Sequence, residues 1–312
     1  MIESHSQAAN RLQGPLAPVM TPFDPNDGLD VQSLAGWIDW MAQRGVPVMW
    51  TTGGTSEMVS LTEAEIFTLT RTVGEANRGR IFYIASTGPT WPVPKCIEFV
   101  KFAEGCGADA VKVLINWLGG PSDDDVLDFY RRVAASTDLP LVAYTLGQPG
   151  MSVDSLMRLI EKVPQVIAIK NDTDDQYRHS AYLTAVPEGF AVITGGMQRP
   201  FLTGHLFGQR CYADSFAMFK PELALQFHAL VEAGEREQAA EHIRRYEMCV
   251  SDLTVFGRHR LDSKALGKTI LWLTGHFATN RVRFPRRTLP AGGSQVQAVR
   301  EVLEEIGVDV VR

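Results

Sequence analysis

The chain contains no run of 18 or more apolar residues, so no segment reads as a membrane-spanning helix. Its start, MIESHSQAANRLQG, lacks both the basic n-region and the apolar h-region of a secretory signal, and a cytoplasmic protein is expected. Basic charge is also short. Thirty Lys and Arg against 36 Asp and Glu give a net charge of −6, which argues against a basic face broad enough to bind nucleic acid through its phosphates. Cysteine is scarce: Cys96, Cys106, Cys211 and Cys249 form no C-x-x-C pair and fit reduced, mostly buried thiols better than disulfides or a zinc site. The seven histidines show no H-E-x-x-H spacing, and Asp123-Asp124-Asp125 reads as a solvated helix start favoured by the helix dipole, so no metal is expected. Nucleotide motifs are missing as well. Gly267-Lys268-Thr269 has Asp262 where a phosphate-binding loop needs its first glycine, and no G-x-G-x-x-G follows the first strand. Asn171-Asp172-Thr173 matches a glycosylation pattern but lacks the secretory signal that would give it meaning.

What the sequence does contain is a repeat of structure rather than of residues. At 45% hydrophobic and 21% charged, its 312 residues can build a sizeable core. From residue 16 onward, short apolar β-rich runs alternate with amphipathic segments of helical length. The expected strands are Leu16–Met20, Val46–Trp50, Ile81–Ser86, Ala110–Ile115, Leu141–Thr145, Val166–Lys170, Ala191–Thr194 and Cys211–Ser215. Thr62 with Glu65 and Ser122 with Asp125 have the spacing of helix N-terminal capping pairs. Eight strand-helix units over roughly 220 residues predict an α/β fold, a (β/α)8 TIM barrel with additional C-terminal helices. Residues 1–14 read as an N-terminal extension, 15–232 as the barrel and 233–312 as a C-terminal helical region. Helices are expected over Pro221–Glu232, Glu235–Leu253, Asp262–Leu273 and Ser294–Ile306.

In such a barrel the chemistry sits where strands end. The sixth strand, VIAIK, ends in Lys170, and simple alternation puts Lys170 on the face of Val166 and Ala168, with Ile167 and Ile169 opposite. A lysine pointing inward would be desolvated, leaving a neutral fraction able to attack a carbonyl carbon. The fifth strand ends in Tyr144, a phenol that could shuttle protons beside an iminium. Position alone leaves both open, since strand-end lysines commonly reach solvent and rim tyrosines commonly pack. After the second strand, Gly53 and Gly54 permit close backbone approach, while Thr55 and Ser56 add hydroxyls, a setting suited to a carboxylate. Gly195-Gly196 repeats the theme after the seventh strand, and Asp172 and Asp214 add polar groups near strand ends.

Together, GPLAPVMTPFDPNDGLD, GGTSEMVSLTEAE, Tyr144 and IAIKND around Lys170 resemble the dihydrodipicolinate synthase / N-acetylneuraminate lyase family across nearly the whole chain. The resemblance implies a Schiff base between Lys170 and a 2-oxo acid such as pyruvate, with Tyr144 as catalytic tyrosine and Gly54 and Thr55 in the carboxylate-binding loop. It implies no cofactor beyond the covalent lysine imine, a small-molecule 2-oxo acid as partner, and a homo-oligomer, dimer or tetramer. Ser56, Gly195 and Asp214 complete the expected substrate-binding set.

The departures bear on substrate. Thr145 and Gly147 replace the family's asparagine and proline, and Gln148 or Pro149 stands where dihydrodipicolinate synthases carry an arginine. No arginine lies between Tyr144 and Arg158, so lysine biosynthesis is not expected. Gly54 replaces the threonine of the family's hydroxyl relay, and Trp117 or a neighbour replaces its tyrosine. GGTSEMVSLTEAE and YADSFAMFKPELAL look more like the 5-dehydro-4-deoxyglucarate dehydratase branch, which removes water and carbon dioxide from a keto-deoxy sugar diacid. A dehydratase is therefore expected, with a pyruvate-dependent aldolase, like N-acetylneuraminate lyase or 2-keto-3-deoxygluconate aldolase, or a dihydrodipicolinate synthase-like protein as the alternatives on the same scaffold. A non-catalytic keto-acid-binding barrel is disfavoured because Lys170 and Tyr144 are both present.

Overall fold

The computed structural model describes residues 4–115, 119–144, 151–172 and 175–312. Eight strands, β1 (Gly14–Pro18), β2 (Val48–Trp50), β3 (Phe82–Ser86), β4 (Ala110–Leu114), β5 (Leu141–Tyr144), β6 (Val166–Asn171), β7 (Ala191–Thr194) and β8 (Cys211–Ala213), pair in chain order. All neighbours are parallel, and Gly14 to Leu16 of β1 pair with Cys211 to Ala213 of β8, closing the barrel. Every expected strand is present. The reason is burial on both faces, which makes each strand an apolar run distinct from its amphipathic helix.

Alternation divides the strands cleanly. Leu16, Val48, Ile84, Val142, Ala168, Ile193 and Cys211 fill the interior, whereas Ala17, Met49, Val111, Ala143, Ile169 and Val192 pack outward under the helices. One detail of the expected alternation is corrected. Val166 packs outward and Ile167 inward, because the register shifts between Leu141 and Val142: Leu141 faces Val166 but Val142 faces Ala168. The extra residue, Ile167, is a bulge, and beyond it Ala168 and Lys170 point inward as expected.

Both expected helix caps form. Thr62 with Glu65, and Ser122 with Asp125, make reciprocal capping boxes at the starts of Glu63–Asn77 and Asp123–Ala134. The N-terminal extension contains a helix that the sequence reading did not expect. His5–Arg11, capped by Ser4, places Ala8 and Ala9 against the inward residues at the N-terminal end of the barrel. It is fastened there by the His5 ring to the Asp138 carbonyl at 3.1 Å and by Arg11 to Asp109 at 3.2 Å. The expected helix Glu235–Leu253 is interrupted by a π-helical turn, Ile243–Glu247, which brings the Glu247 carboxylate onto the amides of Gln198 and Arg199 at 2.9 and 3.1 Å. The C-terminal helices Ser263–Leu273 and Ser294–Glu305 share one continuous apolar core with the outer face of the barrel. Among the described residues, no helix is long and apolar enough to cross a membrane.

Candidate active site

A cleft of about 240 Å³ opens at the C-terminal end of the barrel, between Trp50, Lys112, Tyr144 and Lys170, with the loop at Gly53, Gly54 and Thr55 along one side. Pairing of β5 with β6 sets Tyr144 directly opposite Lys170. Both side chains are buried, and the Lys170 amine lies 4.7 Å from the centre of the Tyr144 ring and 5.6 Å from that of Trp50. The strand ends are locked from behind. Tyr130 donates its hydroxyl to the Val113 carbonyl at 2.8 Å and accepts the Tyr144 amide at 3.2 Å, tying β4 to β5. On the outer side of β6, Asn171 contacts the His179 ring at 3.1 Å, His179 contacts Gln209 at 2.9 Å, and Gln209 donates to Thr194 at 2.7 Å.

Burial shifts the titratable groups of the cleft. Burial, reinforced by the neighbouring Lys112, pushes Lys170 well below the ordinary lysine range, favouring the neutral amine that attacks carbonyls. The Asp172 carboxylate pairs with the Lys170 amine and opposes that shift in part. Burial raises Tyr144 to about 12, so near neutral pH the phenol holds its proton.

The loop after β2 owes its shape to long-range partners. Thr52 and Glu57 adopt left-handed backbone angles, with φ of 52° and 56°. Ser56, expected at the substrate, instead turns away from the cleft: its hydroxyl bonds the Val19 carbonyl, and its own carbonyl accepts from Thr21 at 2.8 Å. Glu57 is fully buried against Lys268 and accepts the Arg283 amide at 2.9 Å. These contacts leave Gly54 and Thr55 lining the cleft. Gly195 lines it too, and a Cβ there would sit 3.8 Å from the Lys170 amine. Gly196, at φ 101°, holds a conformation that only glycine adopts freely.

Asp214 is also corrected. It is wholly buried and off the cleft wall, accepting from the Gln198 side chain at 3.0 Å and the Phe216 amide at 2.9 Å, and burial lifts its carboxyl to about 7. It follows the last residue of β8 and turns away from the cleft, whereas its neighbours Ala213 and Ser215 line the cleft. Trp117, Thr145, Gly147, Gln148 and Pro149 lie outside the described residues. Two charged cleft residues escaped the sequence reading, Lys112 in β4 and Lys264 in the helix Ser263–Leu273, and so did the ring of Trp50. A lone lysine inside the apolar run AVKVL was the available signal for the first. No cluster of three or more metal-ligating side chains occurs among the described residues.

A 4-hydroxy-tetrahydrodipicolinate synthase from Chlorobium luteolum is 31% identical over 191 residues, 60% of this chain and 64% of that protein, so the match spans less than two thirds of its length. A protein named "Probable 5-dehydro-4-deoxyglucarate dehydratase 2" from Streptomyces avermitilis is 30% identical over 236 residues, 75% of this chain and 70% of that one. Among solved structures, the dihydrodipicolinate synthase of Aquifex aeolicus superposes with a TM-score of 0.84 at 20% identity, covering 96% of this chain and 100% of that one. YagE, a prophage protein of E. coli K12 solved in complex with pyruvate, gives a TM-score of 0.85 at 20% identity, covering 95% and 99%. At that identity the likeness is one of fold. The model of the dihydrodipicolinate synthetase family matches residues 11–305, and this chain belongs to that family.

Proposed function

We propose that the protein is a Schiff-base lyase acting on a 2-oxo acid, and that its reaction is the dehydration of a keto-deoxy sugar acid. The carrying observation is the Lys170 amine, buried in the cleft with its nitrogen 4.7 Å from the Tyr144 ring centre. Neutral Lys170 attacks the carbonyl carbon beside the substrate carboxylate, and the resulting carbinolamine loses water to give an iminium. The cationic nitrogen then draws electrons from the adjacent carbon. A base removes one of that carbon's protons, and the enamine so formed expels the hydroxyl of the next carbon, which leaves as water after accepting a proton. Hydrolysis of the imine returns Lys170 and the dehydrated acid. Tyr144 supplies and recovers protons beside the iminium, whose charge lowers the cost of a transient phenolate.

The described cleft wall carries three lysines, Lys112, Lys170 and Lys264, against one carboxylate, Asp172, a composition that favours an anionic and in particular a dicarboxylic substrate. The likeness to the Streptomyces avermitilis protein supports the dehydratase over the aldolase. Dihydrodipicolinate synthesis fits less well. The first arginine after Tyr144 is Arg158, which pairs at the surface with Asp124 at 2.6 Å rather than facing the cleft. With pyruvate and aspartate-semialdehyde, kcat/KM should stay below about 10⁴ M⁻¹s⁻¹, the lower end for ordinary enzymes. The oligomer expected from the resemblance is carried forward as part of this proposal.

The deciding experiment offers 5-dehydro-4-deoxyglucarate and 2-keto-3-deoxygluconate separately and follows products by NMR. Dehydrated product is expected. Release of pyruvate with an aldehyde, and no dehydrated product, would replace the dehydratase with the aldolase, while no turnover and no borohydride-trapped pyruvate adduct would overturn the Schiff-base lyase altogether.

A further inference from the structure

We infer that Lys112 is a second substrate-contacting residue, whose ammonium pairs with the carboxylate adjoining the carbonyl that Lys170 attacks. The inference rests on the reading of Lys170 as nucleophile. Lys112 stands on β4, is 1% exposed, and lines the cleft. No carboxylate or hydrogen-bond acceptor meets its amine among the described residues. The amine lies instead over two ring faces, 4.3 Å from the centre of Trp50 and 5.3 Å from that of Tyr144. A Cβ on Gly53 would come within 3.4 Å of the same nitrogen. Lys112 therefore stands between the glycine loop and the wall that carries Tyr144 and Lys170.

A buried amine without an acceptor is costly, and packing does not require one here. The other inward residues of β4, Ala110 and Leu114, are apolar, and a methionine would occupy nearly the same volume. Burial alone lowers Lys112 to about 7, and an anion beside it would restore the ammonium. Lys112 and Lys170 lie over the same two rings, so they border the same small space. A 2-oxo acid whose carbonyl carbon reaches Lys170 carries its carboxylate one bond away, within that space. The loop amides can share the carboxylate, and Lys112 contributes a charge that no carboxylate answers among the described residues. This pairing would make the enzyme selective for a carboxylate over its neutral amide.

Borohydride trapping tests this with pyruvate and pyruvamide, which differ in that charge. The wild type should trap pyruvate at a concentration at least ~10-fold lower than pyruvamide, with the adduct mapped to the Lys170 peptide. Lys112→Met should raise the half-saturating pyruvate concentration roughly 10- to 100-fold, the scale of one charge-assisted hydrogen bond, and leave pyruvamide nearly unchanged. A Lys170 adduct with the pyruvate preference intact in folded Lys112→Met would overturn the role of Lys112 and leave the nucleophile standing. Absence of any preference in the wild type would overturn it without a variant. An adduct on Lys112 would overturn both assignments. If no lysine traps, the nucleophile reading fails, and thermal melting decides the inference separately: pyruvate should then raise the melting temperature of the wild type and not that of Lys112→Met.

Discussion

Two pockets of buried lysine lie on either side of the loop after β2, and they are built on opposite rules. Behind the loop, Lys268 and Glu57 are both fully buried and pair with each other. The Lys268 amine also lies 3.8 Å from the centre of the Phe23 ring, which Arg283 shares at 4.1 Å, and Arg283 makes a two-pronged contact with Glu65 at 2.6 and 2.9 Å. Burial draws Lys268 down to about 8, and the Glu57 carboxylate resists that pull. In front of the loop, Lys112 and Lys170 share two aromatic rings, and the partly exposed Asp172 carboxylate pairs with Lys170. A lysine whose charge is answered inside the protein fixes a loop. One left unanswered at a cleft is available to a ligand.

The sharpest way to break this contrast is at Lys170. Lys170→Arg should abolish measurable turnover, because a guanidinium stays protonated and cannot become the neutral amine. Retained activity, measured alongside continued borohydride trapping, would remove Lys170 from the chemistry. Next comes the closed pocket. Lys268→Met should cost about 3–5 kcal/mol in urea unfolding by stranding Glu57, and adding Glu57→Gln should recover part of it. A loss under 1 kcal/mol would mean that the pair does not hold the loop. Tyr144→Phe should keep the fold and lower turnover about 100-fold. Wild-type rates in that variant would show that Tyr144 only packs.

The smallest expected effect reverses the sign. The folded amine of Lys112 sits near 7 against 10.5 when exposed, so between those values the unfolded chain binds more protons and stability rises with pH. Below pH 7 both states are protonated and the full cost of a buried ammonium is present. Lys112→Met escapes that cost and should be more stable than the wild type by about 2 kcal/mol at pH 6, with the gain fading toward pH 10. Urea midpoints across that range would settle it, and a Met variant that is destabilised at pH 6 would show that Lys112 is answered after all.

The barrel was legible because its signals are local. Each strand is a short run buried on both faces, and each capping box lies within four residues of sequence. The placement of Lys170 and Tyr144 at neighbouring strand ends was legible for the same reason, whereas their expected roles came from the family resemblance and not from position. Other features depend on closure of the barrel or on contacts far along the chain. Ser56 turns from the cleft because Val19 and Thr21 are waiting behind it, and no periodicity in a loop announces that. Asp214 is drawn away by Gln198, sixteen residues upstream. Lys112 looked like any lysine in a strand until the ring of eight closed around it. The helix His5–Arg11 has a local signal in the capping pair Ser4 and Gln7, but at seven residues it depends on docking under the barrel as well.

The bulge at Ile167 gives β6 a spare residue between its entry and its working end. Loss of Ile167 would leave Val166 opposite Leu141 and bring Ala168 directly after it opposite Val142, while Ala168, Ile169 and Lys170 kept their partners on β5 and β7. Loss of Ala168 would be absorbed in the same way, with Ile167 taking its place opposite Val142. The slack is one residue only. A second loss ahead of Lys170 would turn the amine to the other face of the sheet, so β6 can shorten by one residue and no more.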